Sequence, residues 1–125
     1  MAVRFTKREL DIMSVLWARG PSTVAEVREH LEDHLAHNTV LTMFKVMEGK
    51  GYVSRSAEGR AHRYAPEVEQ DAAGLSALDH LRDRMFGGSP EQLLLQLVDS
   101  GVKPDELRRM RDLLNRRLGE IGEDR

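Results

Sequence analysis

Residues 38–66 read NTVLTMFKVMEGKGYVSRSAEGRAHRYAP, and within them the spacing of the apolar residues changes from helical to alternating. The first half keeps its apolar residues on one face of a helix, and glycines then end the helix. These residues are Val40, Met43, Phe44 and Met47, followed by Gly49-Lys50-Gly51. The second half alternates on both sides of a turn at residues 57–60. It predicts a β-hairpin with strands at 52–56 and 61–65, ended by Pro66.

Two shorter helical patterns precede this segment, and each begins with a capping box, a threonine three residues before a glutamate. The boxes are Thr6 with Glu9 and Thr23 with Glu26. The first helix is predicted to run from residue 7 to residue 19, because Gly20-Pro21 follows it. Three helices followed by a hairpin with a charged tip predict a winged helix-turn-helix domain over residues 1–66.

Residues 67–125 carry three further helical patterns and form the second predicted domain. Gly87-Gly88, Ser89-Pro90 and Pro104 mark where these helices end and begin. Three short helices can bury only part of their own apolar residues, so we expect a second copy of the chain to cover the rest. The predicted dimerisation residues are Leu75, Leu78, Leu81, Met85, Leu94, Leu97, Leu107, Met110, Leu114 and Leu118.

The expected fold is therefore mainly α with a small β-hairpin wing. An N-terminal winged helix-turn-helix precedes a C-terminal three-helix dimerisation region. The 125 residues are 40% hydrophobic and 32% charged, which suits a small globular chain of this kind.

The composition also excludes several classes of protein. The chain has no cysteine, so it can form no disulfide, thiolate nucleophile or cysteine-based metal site. No apolar run approaches the ~20 residues that cross a bilayer, and no signal-peptide pattern is present, so we expect a cytoplasmic protein without membrane insertion. No Gly-rich phosphate loop or nucleophile constellation indicates catalysis. The sequence thus predicts no enzyme, no catalytic residue and no cofactor.

Positive charge collects in residues 34–65, where five basic residues and two glutamates give a local balance of +3. Such an excess favours a face that binds a polyanion. In a helix-turn-helix the second helix of the pair enters the major groove of DNA, where asparagine, threonine and leucine can contact base edges. The candidate DNA-binding residues on this helix are Asn38, Thr39, Leu41, Thr42 and Lys45. The hairpin adds Arg55, Arg60 and Arg63 as contacts to phosphates or to the adjacent minor groove.

Each of these features also has a plainer interpretation. Asn38 and Thr39 favour helix starts and could simply cap the helix. An arginine at a hairpin tip is usually only solvated. Because the local charge excess is only +3, a winged-helix protein-interaction module without DNA affinity is an open alternative.

Three histidines suggest a further alternative, a metal-gated regulator. They are His30, His34 and His37. On one continuous helix their spacing would place them on a shared face, where imidazole nitrogens could hold a metal ion. Residues 33–37 are predicted to form the turn between two helices, however, and a turn would break that geometry. No metal site is therefore expected.

Motifs along most of the chain match, in order, those of one known family. They are Leu10-Asp11-Ile12-Met13 with Leu16-Trp17, Thr39-Val40-Leu41-Thr42-Met43, Lys50-Gly51-Tyr52-Val53, Gly59-Arg60-Ala61-His62-Arg63-Tyr64-Ala65-Pro66, Phe86-Gly87-Gly88 and Arg111-Asp112-Leu113-Leu114. On these motifs the chain resembles the penicillinase repressor family (BlaI/MecI/CopY).

The resemblance implies a homodimeric winged-helix repressor that occupies a palindromic operator in double-stranded DNA until a signal releases it. It implies DNA contacts from Thr39, Thr42, Lys45 and Arg60. It also implies an intertwined dimer formed by residues from about 70 to 121.

Two departures bear on the releasing signal. Antibiotic-responsive members are cleaved at an Asn-Phe bond in the helix after the double glycine, where this chain has Gln96-Leu97. The copper-responsive branch uses cysteine ligands near its C-terminus, and this chain has none. Copper sensing of that type therefore does not carry over, and whether proteolysis releases the protein is an open question. Whether a membrane sensor protease is a further partner stays open.

Overall fold

The structure is a computed structural model that describes residues 3–122. In chain order the elements are α1 (Lys7–Arg19), β1 (Ser22–Thr23), α2 (Val24–His30), α3 (His37–Gly49), β2 (Val53–Glu58), β3 (Ala61–Pro66), α4 (Gln70–Met85), α5 (Pro90–Asp99) and α6 (Pro104–Glu120). The fold is mainly helical with one small antiparallel sheet, which confirms the predicted class. The chain divides into two compact units, one ending at Leu78 and the other beginning at Asp79.

Both predicted capping boxes are present, and they set the start of α1 and of α2. In the first box the Glu9 N–H donates to Thr6 Oγ1 at 3.1 Å, and the Thr6 N–H donates to Glu9 Oε1 at 2.8 Å. Thr23 and Glu26 make the same reciprocal pair at 3.2 and 3.0 Å. At its other end α1 stops at Gly20, whose φ of 89° suits glycine and lets its N–H donate to the Leu16 carbonyl.

Glu9 is also a buried acid, with only 4% of the residue exposed. Its second oxygen accepts a hydrogen bond from Lys50 Nζ at 2.7 Å, which ties α1 to the end of α3. Burial acts to raise the pKa of Glu9, but the hydrogen bonds from Lys50 and Thr6 outweigh it and lower the pKa below its ordinary value. The carboxylate is therefore held ionised within the fold.

The sheet has the strand order β1-β3-β2, with both neighbouring pairs antiparallel. The hairpin is confirmed, but its turn is shorter than predicted, because Glu58 pairs with Ala61 and leaves only Gly59 and Arg60 between the strands. Gly59 has a φ of 61°, the conformation that a two-residue turn requires at its first position when the second residue has a negative φ. The sequence did not predict β1, a two-residue strand.

The core of the first unit lies where α1, α2 and α3 pack against the sheet. The Phe44 and Tyr64 rings stack at a centroid distance of 4.1 Å, which joins α3 to β3. The buried apolar residues of this core are Ile12, Met13, Val15, Leu16, Val24, Val27, Val40, Phe44, Met47, Val53 and Tyr64. The predicted inner face of α3 is therefore confirmed for its three buried members, Val40, Phe44 and Met47.

The second unit contains the end of α4 with α5 and α6. Ser89 caps α5 by accepting a hydrogen bond from the Gln92 N–H at 3.2 Å, and Pro90 and Pro104 occupy first-turn positions, as the sequence predicts. Neither α5 nor α6 has a buried residue within the single chain. Among the helices of residues 3–122, none has both the length and the apolarity that crossing a membrane requires.

Candidate nucleic-acid interface

Helix α3 presents opposite edges to the core and to solvent. Val40, Phe44 and Met47 are fully buried. On the other edge the predicted contacts Asn38, Thr39, Thr42 and Lys45 are all exposed. Because residues three and four apart share a helix face, the buried set fixes the direction in which the exposed set projects. The exposed edge offers amide, hydroxyl and ammonium groups, which are the groups that contact base edges and phosphates.

The N-terminus of α3 has no side-chain cap. The N-cap position is held by Ala36, which makes no capping hydrogen bond, and Asn38 and Thr39 lie inside the first turn. The interpretation in which these two residues serve only as the N-cap therefore does not fit the observed start of the helix. A helix start without a side-chain cap leaves first-turn N–H groups available to an anion such as phosphate.

Leu41 does not project from α3 as predicted. It is half-buried and packs against the core cluster. Together with Arg60 and His62 it lines an open, mainly apolar groove of about 340 Å³ between α3 and the hairpin. The helical spacing alone places Leu41 on the outer edge, but in the fold its side chain packs against the core of the first unit.

Arg63 is also placed differently from the prediction, because its guanidinium is occupied within the chain. It donates to both carboxylate oxygens of Glu58, at 3.1 and 2.7 Å, to Glu26 Oε1 at 2.8 Å and to the Pro21 carbonyl at 2.9 Å. The hydrogen bonds to Glu58 and then to Glu26 raise the pKa of Arg63. They leave this side chain little capacity to bind a phosphate.

The pKa values of Glu58 and Glu26, the two glutamates that pair with Arg63, are lowered. The Arg63 hydrogen bond lowers the pKa of Glu58. The Thr23 backbone N–H and then Arg63 lower the pKa of Glu26. Sequence reasoning assigned neither glutamate to the site. The hairpin register carries a signal that could have identified Glu58, since Arg63 lies diagonally across a two-residue turn from it.

Other cations of the positive segment are paired as well. Arg55 Nε lies 3.4 Å from Glu48 Oε2, and Lys50 is bound to Glu9. Within residues 3–122, Lys45 and Arg60 are the two cations of the 34–65 segment that form no ion pair. The effective positive charge of this face is therefore smaller than the sequence balance of +3 and is concentrated on α3 and the hairpin tip.

The three histidines lie in different structural settings. His30 ends α2, His34 lies in the segment between helices, and His37 begins α3. Across residues 3–122 no three His, Cys, Asp or Glu side chains are grouped so that they could hold a metal ion. The three histidines therefore belong to no such group among the described residues.

The predicted dimerisation residues are largely exposed in the single chain. Met110 is half-buried, and each of the others is an exposed large apolar side chain. Leu95 and Leu113 are exposed in the same way but were not among the predicted residues. Their signal was present in the sequence, because α5 is apolar around most of its circumference and Leu113 adjoins Leu114.

Solved structures that are similar to this chain include two that align with most of it at low sequence identity. AbfR of Staphylococcus epidermidis is 20% identical, with a TM-score of 0.48 over 95% of this chain and 75% of that one. The transcriptional regulator Tm0710 from Thermotoga maritima is 19% identical, with a TM-score of 0.49 over 96% of this chain and 78% of that one.

Comparison of sequences gives a more specific result. The transcriptional regulator BlaI of Mycobacterium tuberculosis is 36% identical over 118 residues, which cover 90% of this chain and 81% of that protein. The model of the family described as penicillinase repressor matches residues 5–116. The protein therefore belongs to the penicillinase repressor family, a family of transcriptional regulators and not of enzymes.

Proposed function

We propose that this protein is a homodimeric transcriptional repressor that binds a palindromic operator through α3 and the hairpin. The observation that carries the proposal is the exposed polar edge of α3, directly opposite three fully buried residues. A helix fixed so firmly on one side presents its other side with little freedom, which suits the reading of base edges in a major groove.

In this proposal the residues of α3 divide between two kinds of contact. Asn38 and Thr42 read base edges by hydrogen bonding. Lys45 contacts phosphate, together with Arg60 at the hairpin tip, since both are exposed cations without an ion pair in residues 3–122. Thr39 lies at the first turn of α3, where its hydroxyl and the helix N–H groups can meet a phosphate.

The dimer is proposed from the exposed leucines of the helices that follow the hairpin. Large apolar side chains exposed in such number indicate a surface that another molecule covers. A second copy of the chain is the proposed cover, in agreement with the dimer that the family resemblance implies. The assignment of residues 1–66 to DNA binding and of residues 67–125 to dimerisation stays a prediction.

Operator symmetry follows from the proposed dimer. A two-fold dimer places two α3 helices about one turn of DNA apart, so a palindromic site is the natural target. A cytoplasmic location is proposed with it, because a repressor acts where it can reach its operator DNA.

A protein-interaction module without DNA affinity is the second candidate. The pairing of Arg55, Arg63 and Lys50 with glutamates favours it, because paired cations bind phosphate poorly. Binding of the protein to random duplex DNA across a salt series separates the two candidates. Counterion release gives a steep dependence on salt only where cations contact phosphates.

The repressor proposal is tested by recovering bound fragments of the source genome and measuring the effect of Thr42→Ala on them. We expect a loss of about 1–3 kcal/mol on the recovered operator and almost none on random duplex. Ser14→Ala, which removes an exposed hydroxyl from α1, serves as the matched control and should change neither. Equal losses on both DNAs for Thr42→Ala would argue against base reading by α3.

A further inference from the structure

Arg63 joins three parts of the first unit through one guanidinium. Its bidentate pair with Glu58 closes across the hairpin, its bond to Glu26 reaches α2, and its bond to the Pro21 carbonyl reaches the turn after α1. Four of the five N–H donors of an arginine are thereby used inside the chain. The arrangement is a brace between the hairpin and the helices, and only part of the Arg63 side chain is exposed.

Glu26 accepts hydrogen bonds from both the start of α2 and the hairpin. Its Oε1 accepts from the Thr23 N–H at 3.0 Å, which completes the capping box of α2, and from Arg63 Nη1 at 2.8 Å. Thr23 and Arg63 are also register partners in the sheet. The start of α2 and the hairpin are therefore fixed to each other by a strand pairing and by one shared carboxylate.

The tip half of the hairpin, on the far side of Arg63 from the core, packs no buried side chain against the rest of the unit. Every residue from 54 to 62 is exposed, so no buried side chain anchors the tip half of the hairpin. Arg60 occupies the second position of the turn at its end. Where an isolated hairpin tip points depends on what holds its base, since two strands alone have little stability in water.

We infer that Arg63 is a positioning residue, which fixes the direction of the hairpin tip and so lets Arg60 meet a DNA phosphate. The inference rests on the proposed DNA-binding function. In this role Arg63 makes no phosphate contact of its own, because its guanidinium is hydrogen-bonded within the chain. Arg60 makes the contact with DNA instead.

Lysine substitution distinguishes the two roles. A lysine keeps the positive charge and binds phosphate as a point charge, but it lacks the planar fork that holds a carboxylate bidentately. Arg63→Lys should therefore weaken binding to random duplex by about 2- to 10-fold, the cost of ordering a loosened tip. Arg8→Lys is the matched control, because Arg8 pairs with Asp33 outside the proposed interface, and it should bind within about 2-fold of the unaltered protein.

The double variant tests whether Arg63 acts through Arg60. The measurement is fluorescence anisotropy of the full-length protein on a random duplex across a salt series. Arg60→Ala should lower the slope of log K against log salt by about 0.9, as one lost phosphate contact does. Adding Arg63→Lys to Arg60→Ala should weaken binding by less than about 2-fold further, because the tip then has no contact left to position.

Glu58→Gln disrupts the same brace but leaves every cationic residue unchanged. Removing a negative charge near DNA would by itself strengthen binding, whereas breaking the bidentate pair should weaken it. We expect weaker binding by Glu58→Gln at the highest salt of the series. Salt screens the gain from removing a negative charge, so the loss of the bidentate pair then dominates. Thermal unfolding of each variant, followed by circular dichroism, verifies that the fold is retained.

Several outcomes would overturn the inference. Arg63→Lys binding like the unaltered protein, Glu58→Gln binding more tightly at high salt, or losses that multiply in the double variant would each show that Arg63 does not position the tip. Random-duplex binding without salt dependence in the unaltered protein would overturn the proposed function as well, so the two failures are distinguishable.

Discussion

Replacing Leu114 by alanine should weaken the proposed dimer by an amount that the structure sets. Leu114 lies on α6 and is 51% exposed in the single chain. Full burial of a leucine side chain contributes about 1.5–3 kcal/mol, so covering the exposed half contributes about 1 kcal/mol. A two-fold interface contains the residue twice, which gives about 2 kcal/mol and about a 30-fold rise in the dissociation constant. Alanine favours the helix at least as well as leucine, so α6 itself should persist.

The assay is sedimentation velocity over a dilution series of the full-length protein. Leu10 supplies a matched control, because it is 48% exposed on α1, outside the predicted dimerisation residues. Leu10→Ala should leave the dissociation constant unchanged. A Leu114→Ala dimer within about 3-fold of the unaltered one, or equal shifts for the two variants, would refute the assignment of this surface to dimerisation.

Glu9→Gln should lower the free energy of unfolding by about 1 kcal/mol at neutral pH, since hydrogen bonds to charged partners contribute about 1.5–3 kcal/mol and neutral ones about 0.5–1.5 kcal/mol. Because the fold lowers the pKa of Glu9, the difference in unfolding free energy between the two proteins is fully present above the ordinary pKa of 4.5. It vanishes as the pH falls through the lowered pKa that Glu9 has in the folded state. Urea unfolding from neutral pH to about pH 3 measures it, and a difference that persists in acid would contradict the explanation. Lys45→Ala should lower the salt slope on random duplex by about 0.9. Lys7→Ala on α1 should not, and an unchanged slope for Lys45→Ala would remove that residue from the interface.

The helices could be predicted from sequence because their signals are local. The capping threonines, the glycines after α1 and α3 and the prolines at the starts of α5 and α6 each act within one helical turn. The strand β1 could not be predicted in this way. Its two residues are too few to show a period, and its only reason to be extended is its pairing with β3, forty residues away in the chain.

The candidate site was predictable to the extent that it lies on one helix. Spacing alone identified the outer edge of α3, but it could not show that Leu41 packs against the core cluster. Charge counting placed Arg63 with Arg60, yet the two differ in what surrounds them. Arg63 meets Glu26 only when β1 pairs with β3, and that is a tertiary contact which no local pattern contains.

The geometry of operator binding is tested most directly by changing the distance between half-sites. The full-length protein is titrated onto a recovered genomic operator and onto the same operator with about five extra base pairs at its centre, half a turn of DNA. If a dimer places one α3 in each of two successive major grooves, the insertion turns the second half-site to the opposite face, and affinity should fall to that for a duplex that carries a single half-site. Unchanged affinity on the lengthened operator would contradict a dimer that reads two half-sites.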